Sequence, residues 1–186
     1  MSLRERKKLA AWRAIHTAAL TLFDEQGYEA TTIEQIAAAA NVSRATFFNY
    51  FANKESVVFD QDPELRDDWQ ALMAGRPADE PLRTSLLVIM TEFGESLRQR
   101  MPVLRRLKAR SPALAHATQT FGEQFAADLR EWVLERAGED DALRATLLLN
   151  VALAASSTAY QTWPADADYD DYMARLKQCL HEALAP

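Results

Sequence analysis

Glycine, proline and cysteine are scarce in this chain, whose 186 residues include 5 glycines, 7 prolines and one cysteine. The single Cys179 excludes an internal disulfide and fits a reducing cytoplasm. The alternation of apolar and polar residues that is typical of strands is missing, and no stretch approaches the roughly 18 apolar residues of a membrane span. The basic N-terminus is not followed by a signal-peptide core. The sequence therefore predicts an all-α, soluble, cytoplasmic protein with no membrane partner.

Motifs of catalysis and of metal binding are also missing. There is no G-x-S-x-G, no glycine-rich phosphate loop and no H-E-x-x-H, and the three histidines fall on three separate predicted helices. Asp166, Asp168 and Asp170 alternate like the start of a calcium loop. However, Asp171 stands where the turn glycine belongs and Lys177 where the bidentate glutamate belongs. We therefore expect no metal, no cofactor and no enzyme activity.

Residues 31–54, TTIEQIAAAANVSRATFFNYFANK, predict two helices joined by a tight turn. Thr31 and Thr32 precede Glu34 and Gln35 at the spacing of a capping box, so a helix begins here. This helix ends at Asn41, because asparagine tolerates the left-handed conformation that a tight turn requires. The stretch is therefore interpreted as a helix-turn-helix.

The second helix of this pair is predicted to run from Arg44 to Phe51, with Ser43 as its cap. Phe47 and Phe51, four residues apart, give it one apolar face. The outward face keeps short polar side chains and one arginine. Such a face suits insertion into the major groove of DNA.

The run VSRATFFNYFANKESVV resembles the tetracycline-repressor (TetR) type of bacterial regulator. The pattern of that family is roughly V-S-x-x-T-[LFI]-[YF]-x-[YH]-F-x-x-K-[ED]-x-[LV]. The upstream pattern F-x-x-x-G-Y-x-x-T-T-x-x-x-I-A also matches, from Phe23 to Ala37, so that the resemblance covers about the first third of the chain. Phe48 stands where many members carry tyrosine, so a DNA contact made by that hydroxyl would be missing here.

The resemblance implies DNA contacts at the starts of the two helices, along the outward face of the second one, and just after it. These predicted contacts are Thr31, Thr32, Ser43, Arg44, Ala45, Thr46, Asn49, Tyr50 and Lys54. A lysine is poorly placed for the dipole at the start of a helix, which favours a phosphate partner for Lys54. Other roles stay open for these residues: helix caps, a solvated arginine, and half-buried packing of Tyr50.

The charge is unevenly distributed along the chain. The formal net charge is -6, but residues 1–54 carry +2 and the remainder carries -8. Residues 4–13 hold five basic side chains against one acidic. This asymmetry directs the N-terminal end toward phosphates and keeps the rest away from them.

The sequence divides into an expected three-helix DNA-binding domain, residues 1–53, and a helical ligand-binding and dimerisation domain, residues 54–186, with about nine or ten helices in all. The predicted breaks in the second domain include Gly138, which ends a long helix. A following helix, 142–162, is apolar all round and should be buried on every side. We expect it to form the dimer surface together with the last helix, 169–184, which carries a leucine stripe, as a four-helix bundle with a two-fold mate.

Aromatic and methionine side chains of the second domain could line an apolar ligand pocket, although such a stripe also suits an ordinary core. They are Met90, Phe93, Leu97, Phe121, Phe125, Trp132 and Tyr160. The segments FANKESVVFDQDPEL and GRPADEPL resemble an acyl-CoA-responsive branch of the family, which includes regulators of mycofactocin gene clusters. The branch implies an acyl-CoA or another hydrophobic effector, whose CoA phosphate would bind the basic segment Arg105–Arg110. The alternative interpretation of that segment is a solvated basic helix.

The resulting prediction is a homodimeric repressor that binds a palindromic DNA operator and leaves it when a small molecule occupies the second domain. The helix that begins at Lys54 would transmit the change. Two alternatives stay open. One is a DNA-binding dimer with no inducer, and the other is a helical enzyme or protein-interaction module with a vestigial helix-turn-helix.

Overall fold

The computed structural model describes residues 2–59, 62–111, 114, 120–164 and 166–185, with residues 63, 120 and 121 described by their backbone alone. Regular secondary structure in this part of the chain is entirely helical, which confirms the all-α prediction. The helices are α1 (Leu3–Gln26), α2 (Ile33–Ala39), α3 (Arg44–Phe48), α4 (Lys54–Phe59), α5 (Pro63–Ala74), α6 (Leu82–Ser96), α7 (Met101–Arg110), α8 (Thr120–Thr162) and α9 (Tyr169–Ala183).

The chain forms two compact units, each made of separate segments. Unit 1 comprises Met1–Arg66 and Val103–Phe121, and unit 2 comprises Asp67–Pro102 and Gly122–Pro186. The chain therefore passes from one unit to the other three times, after residues 66, 102 and 121. Both α4 and α7 group with the N-terminal helices, while the functional division at residues 53 and 54 stays a prediction.

Helix α1 organises unit 1 because its apolar residues recur every three or four positions and are buried. Ser2 and Glu5 form a capping box at its start, and Gly27 ends it with a φ of 90°. The side chains that it buries are Leu9, Trp12, Ile15, Ala19 and Phe23. Helices α2 and α4 both pack on α1, and α3 packs on α2.

Helix α7 belongs to unit 1 although it follows α1 by about eighty residues. Leu104 and Leu107 are buried in the core that also contains residues of α1 to α4. The guanidinium of Arg106 donates two hydrogen bonds of 3.0 Å to the carboxylate of Asp24. Part of the predicted phosphate-binding basic segment is thus committed to holding α7 on α1.

Helices α6 and α9 pack against each other in unit 2. The hydroxyl of Tyr169 donates a 2.6 Å hydrogen bond to the carbonyl of Gly94, where the two helices approach closely. Leu176, Leu180 and Leu184 are buried inside the unit. The leucine stripe therefore fills the core of its own chain and is not available to a second copy, while the use of the last two helices as the dimer surface stays a prediction.

Helix α8 changes direction at Gly138, whose φ of 70° and ψ of 177° are not helical, and this confirms the predicted break. Beyond it, Leu149 and Ala152 are fully buried, whereas Leu143 and Leu147 are 87% and 62% exposed. The expectation of burial on every side is wrong for the single chain. By length and composition α8 could cross a membrane, but core helices of soluble proteins have the same character.

We predict that Gly94→Val lowers the free energy of unfolding by about 1–3 kcal/mol, the usual cost of overpacking a filled core. A Cβ at Gly94 would lie 2.7 Å from Cδ2 of Leu176 and 3.2 Å from the sulfur of Met173. Gly122→Val is the matched control, because a Cβ there meets nothing within 4 Å. Denaturant unfolding of both variants provides the measurement. Equal stability of the two would contradict a close α6–α9 contact.

Candidate DNA-binding surface

Helix α2 begins at a capping box centred on Thr32. The Thr32 hydroxyl accepts from the amide of Gln35 at 3.2 Å, and the Gln35 carboxamide oxygen accepts from the amide of Thr32 at 2.8 Å. The helix is followed by a turn in which Asn41 has a φ of 54°. The sequence thus predicts the position of the turn correctly. It also predicts the capping box, which the structure forms between Thr32 and Gln35.

Helix α3 is short, and its position depends on anchors at both ends. Ser43 accepts from the amide of Thr46 at 3.0 Å, which caps the first turn. Phe47 and Phe51 are 0% and 1% exposed in the core of unit 1. The helix ends at Phe48, earlier than the predicted Phe51. Its polar face is nevertheless held in a fixed direction, because the two phenylalanines are buried.

Six of the predicted DNA contacts lie along α3 or next to its ends, and they stay predictions. Ser43, Arg44, Ala45 and Asn49 are exposed, whereas Thr46 and Tyr50 are half-buried. These six side chains lie along and just after one short helix. Together with the exposed Thr32 at the start of α2, they form what is called here the reading surface.

Arg44 already has an anionic partner on this surface. Its Nε lies 2.9 Å from Oε1 of Glu34, and the two side chains are 65% and 64% exposed. Its guanidinium also lies 5.2 Å from the centre of the Phe48 ring. An exposed ion pair of this kind contributes only about 0–1 kcal/mol, so a phosphate or a base can replace the carboxylate. Sequence reasoning missed Glu34, although it lies three residues after Thr31 in the predicted capping box.

Thr31 does not belong to the reading surface. Its side chain is 1% exposed, and its hydroxyl donates a 2.8 Å hydrogen bond to the carbonyl of Gly27. The same oxygen accepts from the carboxamide of Gln26 at 3.0 Å. Thr31 therefore joins the end of α1 to the start of α2, and its buried hydroxyl is not accessible to a phosphate.

Lys54 is also committed within unit 1. Its ammonium donates to the carbonyls of Tyr28 and Thr31 at 2.6 and 2.9 Å, and it lies 4.1 Å from the centre of the Tyr28 ring. Burial lowers the pKa of this ammonium from its ordinary value. These carbonyls explain a lysine at the start of α4 without any phosphate. These contacts hold the connection between α1 and α2 in place, and so they support the start of α2.

The basic N-terminal cluster is partly engaged as well. Arg13 donates to Asp62 at 2.6 Å and to Glu64 at 2.8 Å, all within unit 1. The other basic side chains of the cluster, between residues 4 and 8, are exposed. These are the side chains of α1 that remain accessible to a DNA backbone.

The predicted ligand residues are distributed between a packed core and a small cavity. Phe93 and Phe125 stack with ring centres 3.6 Å apart, and the Trp69 ring meets both edge-on. Trp132 lines a cavity of about 160 Å³ that includes no other predicted ligand residue. Of the remaining predicted residues, Met90 and Leu97 are buried, Tyr160 is half-buried, and the side chain of Phe121 lies outside the described residues.

Sequence reasoning also missed a buried carboxylate in unit 2. Asp128 is 7% exposed and accepts from Trp69 Nε1 at 2.9 Å. The carboxamides of Gln70 and Gln124 donate to it as well, at 3.3 and 2.7 Å. Only Gln124, four residues earlier on the same helix, could have been recognised from spacing. The other two donors come from α5, which sequence alone does not bring close.

Comparisons with known proteins agree with this geometry. The family profile described as "Bacterial regulatory proteins, tetR family" matches residues 15–60. The transcriptional regulator TcmR of Streptomyces glaucescens is 30% identical over 179 residues, which cover 90% of this chain and 79% of that protein.

Two solved structures share the fold over nearly their whole length. The fatty acid degradation regulator FadR of Bacillus halodurans is 18% identical with a TM-score of 0.65, covering 94% of this chain and 95% of that one. Thermus thermophilus FadR, solved in complex with lauroyl-CoA, is 25% identical with a TM-score of 0.51, covering 93% of each chain.

We predict that Lys54→Ala lowers the free energy of unfolding by about 1.5–3 kcal/mol, because it removes charge-assisted hydrogen bonds to two carbonyls. Lys7→Ala, an exposed lysine of the same unit, should change stability by less than about 0.5 kcal/mol. Thermal or denaturant unfolding of the two variants distinguishes them. If Lys54→Ala is as stable as Lys7→Ala, the lysine is not a structural clamp and is available for phosphate.

Proposed function

Because this chain belongs to the TetR family of bacterial regulators, we propose that it represses transcription from a palindromic operator and is released by a small molecule. It is a DNA-binding transcriptional regulator with a helix-turn-helix. The observation that carries the proposal is the reading surface, whose short polar side chains are exposed on a helix anchored by buried phenylalanines.

The proposed DNA contacts follow from the chemistry of the reading surface. Helix α3 enters the major groove, where Arg44 meets a guanine edge or a phosphate and Asn49 meets a base edge. The starts of α2 and α3, at Thr32 and Ser43, present amides and hydroxyls that suit phosphate oxygens. Ala45, Thr46 and Tyr50 complete the surface. Thr31 and Lys54 support this surface without contacting DNA, since their polar atoms are hydrogen-bonded to carbonyls inside unit 1.

Dimerisation is proposed through the exposed side of α8 beyond Gly138. Leu143 and Leu147 lie one turn apart and are largely exposed, and Ala154 continues the same side two turns later. Apolar side chains at this spacing suit a second copy related by a two-fold axis. A dimer would place two reading helices about 34 Å apart, one turn of DNA, which explains why a palindrome is expected.

Effector binding is proposed in unit 2. Thermus thermophilus FadR holds lauroyl-CoA and is 25% identical to this chain, which makes acyl-CoA esters reasonable first candidates. The stacked rings of Phe93 and Phe125 would have to separate to admit an acyl chain between them. An effector needs a coupling free energy of only about 1–3 kcal/mol to change operator affinity 5- to 150-fold. A dimer without an inducer remains the competing function, and it predicts no compound that stabilises the protein or weakens its DNA binding.

The function is tested by selecting operators from a pool of random duplex DNA, at a salt concentration that suppresses phosphate-only binding. We expect a palindrome to be enriched. On that palindrome, Arg44→Ala should weaken binding by about 1–3 kcal/mol and Tyr50→Phe by about 0.5–1.5 kcal/mol. Neither should change stability by more than about 0.5 kcal/mol, as is usual for surface changes.

Arg130→Ala is the matched control for this experiment, because Arg130 is exposed on α8 outside the reading surface. It should leave operator affinity unchanged. A pool that yields no enriched sequence would refute specific recognition. A parallel loss of stability and binding in Arg44→Ala would show that this arginine supports the fold and does not contact DNA.

The dimer surface is tested with Leu147→Asp, which places a charge on the exposed apolar side of α8. We expect sedimentation to show dissociation to monomers at micromolar concentration, together with loss of affinity for the full palindrome. Leu3→Asp is the control for the sedimentation measurement alone, since Leu3 is 61% exposed on α1 in the other unit. A Leu147→Asp protein that remains dimeric would place the interface elsewhere.

A further inference from the structure

We propose that a cleft in unit 2 binds a small organic oxyanion, and that this anion, in place of an acyl-CoA ester, is the effector; the second part rests on the proposed function. The cleft has a volume of about 310 Å³ and lies between the α5–α6 connection and the part of α8 around Gly138. Its charged lining comes from Glu80, Arg83, Arg136, Asp141 and Arg144. It is called here the arginine cleft.

The acidic side of the lining is largely neutralised. The Glu80 carboxylate accepts from Arg76 Nε at 2.8 Å and from the Ser85 hydroxyl at 2.6 Å. These hydrogen bonds hold the pKa of Glu80 below its ordinary value, so the group stays ionised and paired. Asp141, which is exposed, is then the remaining carboxylate of the lining.

The basic side is not neutralised in the same way. Arg136 is oriented by the carbonyls of Pro77 and Glu80, the second at 2.9 Å, and it lies over the Trp132 ring at 5.2 Å. Arg83 and Arg144 have no carboxylate partner among the residues that the structure describes. Three guanidinium groups therefore face a single uncommitted carboxylate, and the cleft keeps an excess of positive charge that favours an anion.

The rest of the lining is apolar and defines the class of ligand. Pro81, Leu82 and Leu148 contribute to the wall, with alanines beside them. Guanidinium groups bind carboxylates and phosphates through paired N–H donors. The volume lies at the lower end of the range for small-molecule sites. These features suit a carboxylate or a phosphate monoester that carries a small apolar body, and they do not suit a long acyl chain.

Another cavity of unit 2 has the opposite character. The cavity beside Trp132 is lined by Asp128, Glu131 and Glu135 and has no basic residue in its lining. An anion would be repelled there. The arginine cleft is therefore the better anion site of the two.

The position of the cleft also suits a regulatory role. Residues 75–81 connect α5 to α6, Arg83 lies in the first turn of α6, and α5 begins within the segment that belongs to unit 1. An anion that draws Arg83 and Arg144 together would hold the start of α6, and with it this connection, closer to α8. The change would then reach unit 1 along α5, which has its first residues there.

The experiment measures binding of benzoate, octanoate and phenyl phosphate to the full-length protein by calorimetry, with benzamide as the uncharged analogue of benzoate. We expect at least one anion to bind saturably and at least tenfold more tightly than benzamide. The double variant Arg83→Ala/Arg144→Ala should lose at least tenfold in affinity. The double variant Arg130→Ala/Arg175→Ala removes the same charge outside the cleft and should bind as the wild type does.

The outcomes separate the site from its role. If none of the three anions binds, or if the cleft variant binds as tightly as the wild type, the site is refuted. If the anion binds through the cleft but leaves the affinity for the selected operator unchanged, the site is supported and its effector role is refuted. If lauroyl-CoA releases the operator equally from the wild type and the cleft variant, the effector site lies elsewhere. Failure to select any operator would refute the proposed function without affecting the binding result.

Discussion

The burial of Phe47 and Phe51 in the core of unit 1 is the constraint on which the proposed reading surface depends. A helix of five residues has no stability of its own, because nucleating a helix costs more than so few hydrogen bonds return. Helix α3 exists because its two phenylalanines pack beneath it and because Ser43 caps its first turn. The direction of the proposed reading surface is therefore set by side chains that are buried in the core of unit 1.

The sequence predicted well what depends on local spacing. The capping box at Thr32, the left-handed Asn41 and the break at Gly138 all follow from rules that span a few residues, and the structure confirms them. The sequence predicted less well which group a polar side chain contacts. Thr31 and Lys54 carry the residue types of a phosphate contact, but their donors reach carbonyls of the α1–α2 connection instead.

Long-range packing was the other feature that spacing could not supply. Periodicity correctly identified Leu176, Leu180 and Leu184 as one apolar face, but it could not distinguish burial inside the chain from burial against a second copy. It also gave no reason to group α7 with the DNA-binding helices, since Arg106 and Asp24 are 82 residues apart. An apolar stripe on a helix indicates that this face of the helix is buried. Only the tertiary structure shows what covers it.

The grouping of α7 with unit 1 bears on how a ligand signal could reach DNA. The Arg106–Asp24 pair joins two side chains that are 45% and 38% exposed, and such a pair contributes about 0–1 kcal/mol at most. Burial of Leu104 and Leu107 contributes more, at about 1.5–3 kcal/mol for each side chain. Apolar packing is therefore what mainly holds α7 to the N-terminal helices. Because residue 102 ends the preceding segment of unit 2, a ligand-induced displacement there would act on unit 1 through this packing even if the ion pair were lost.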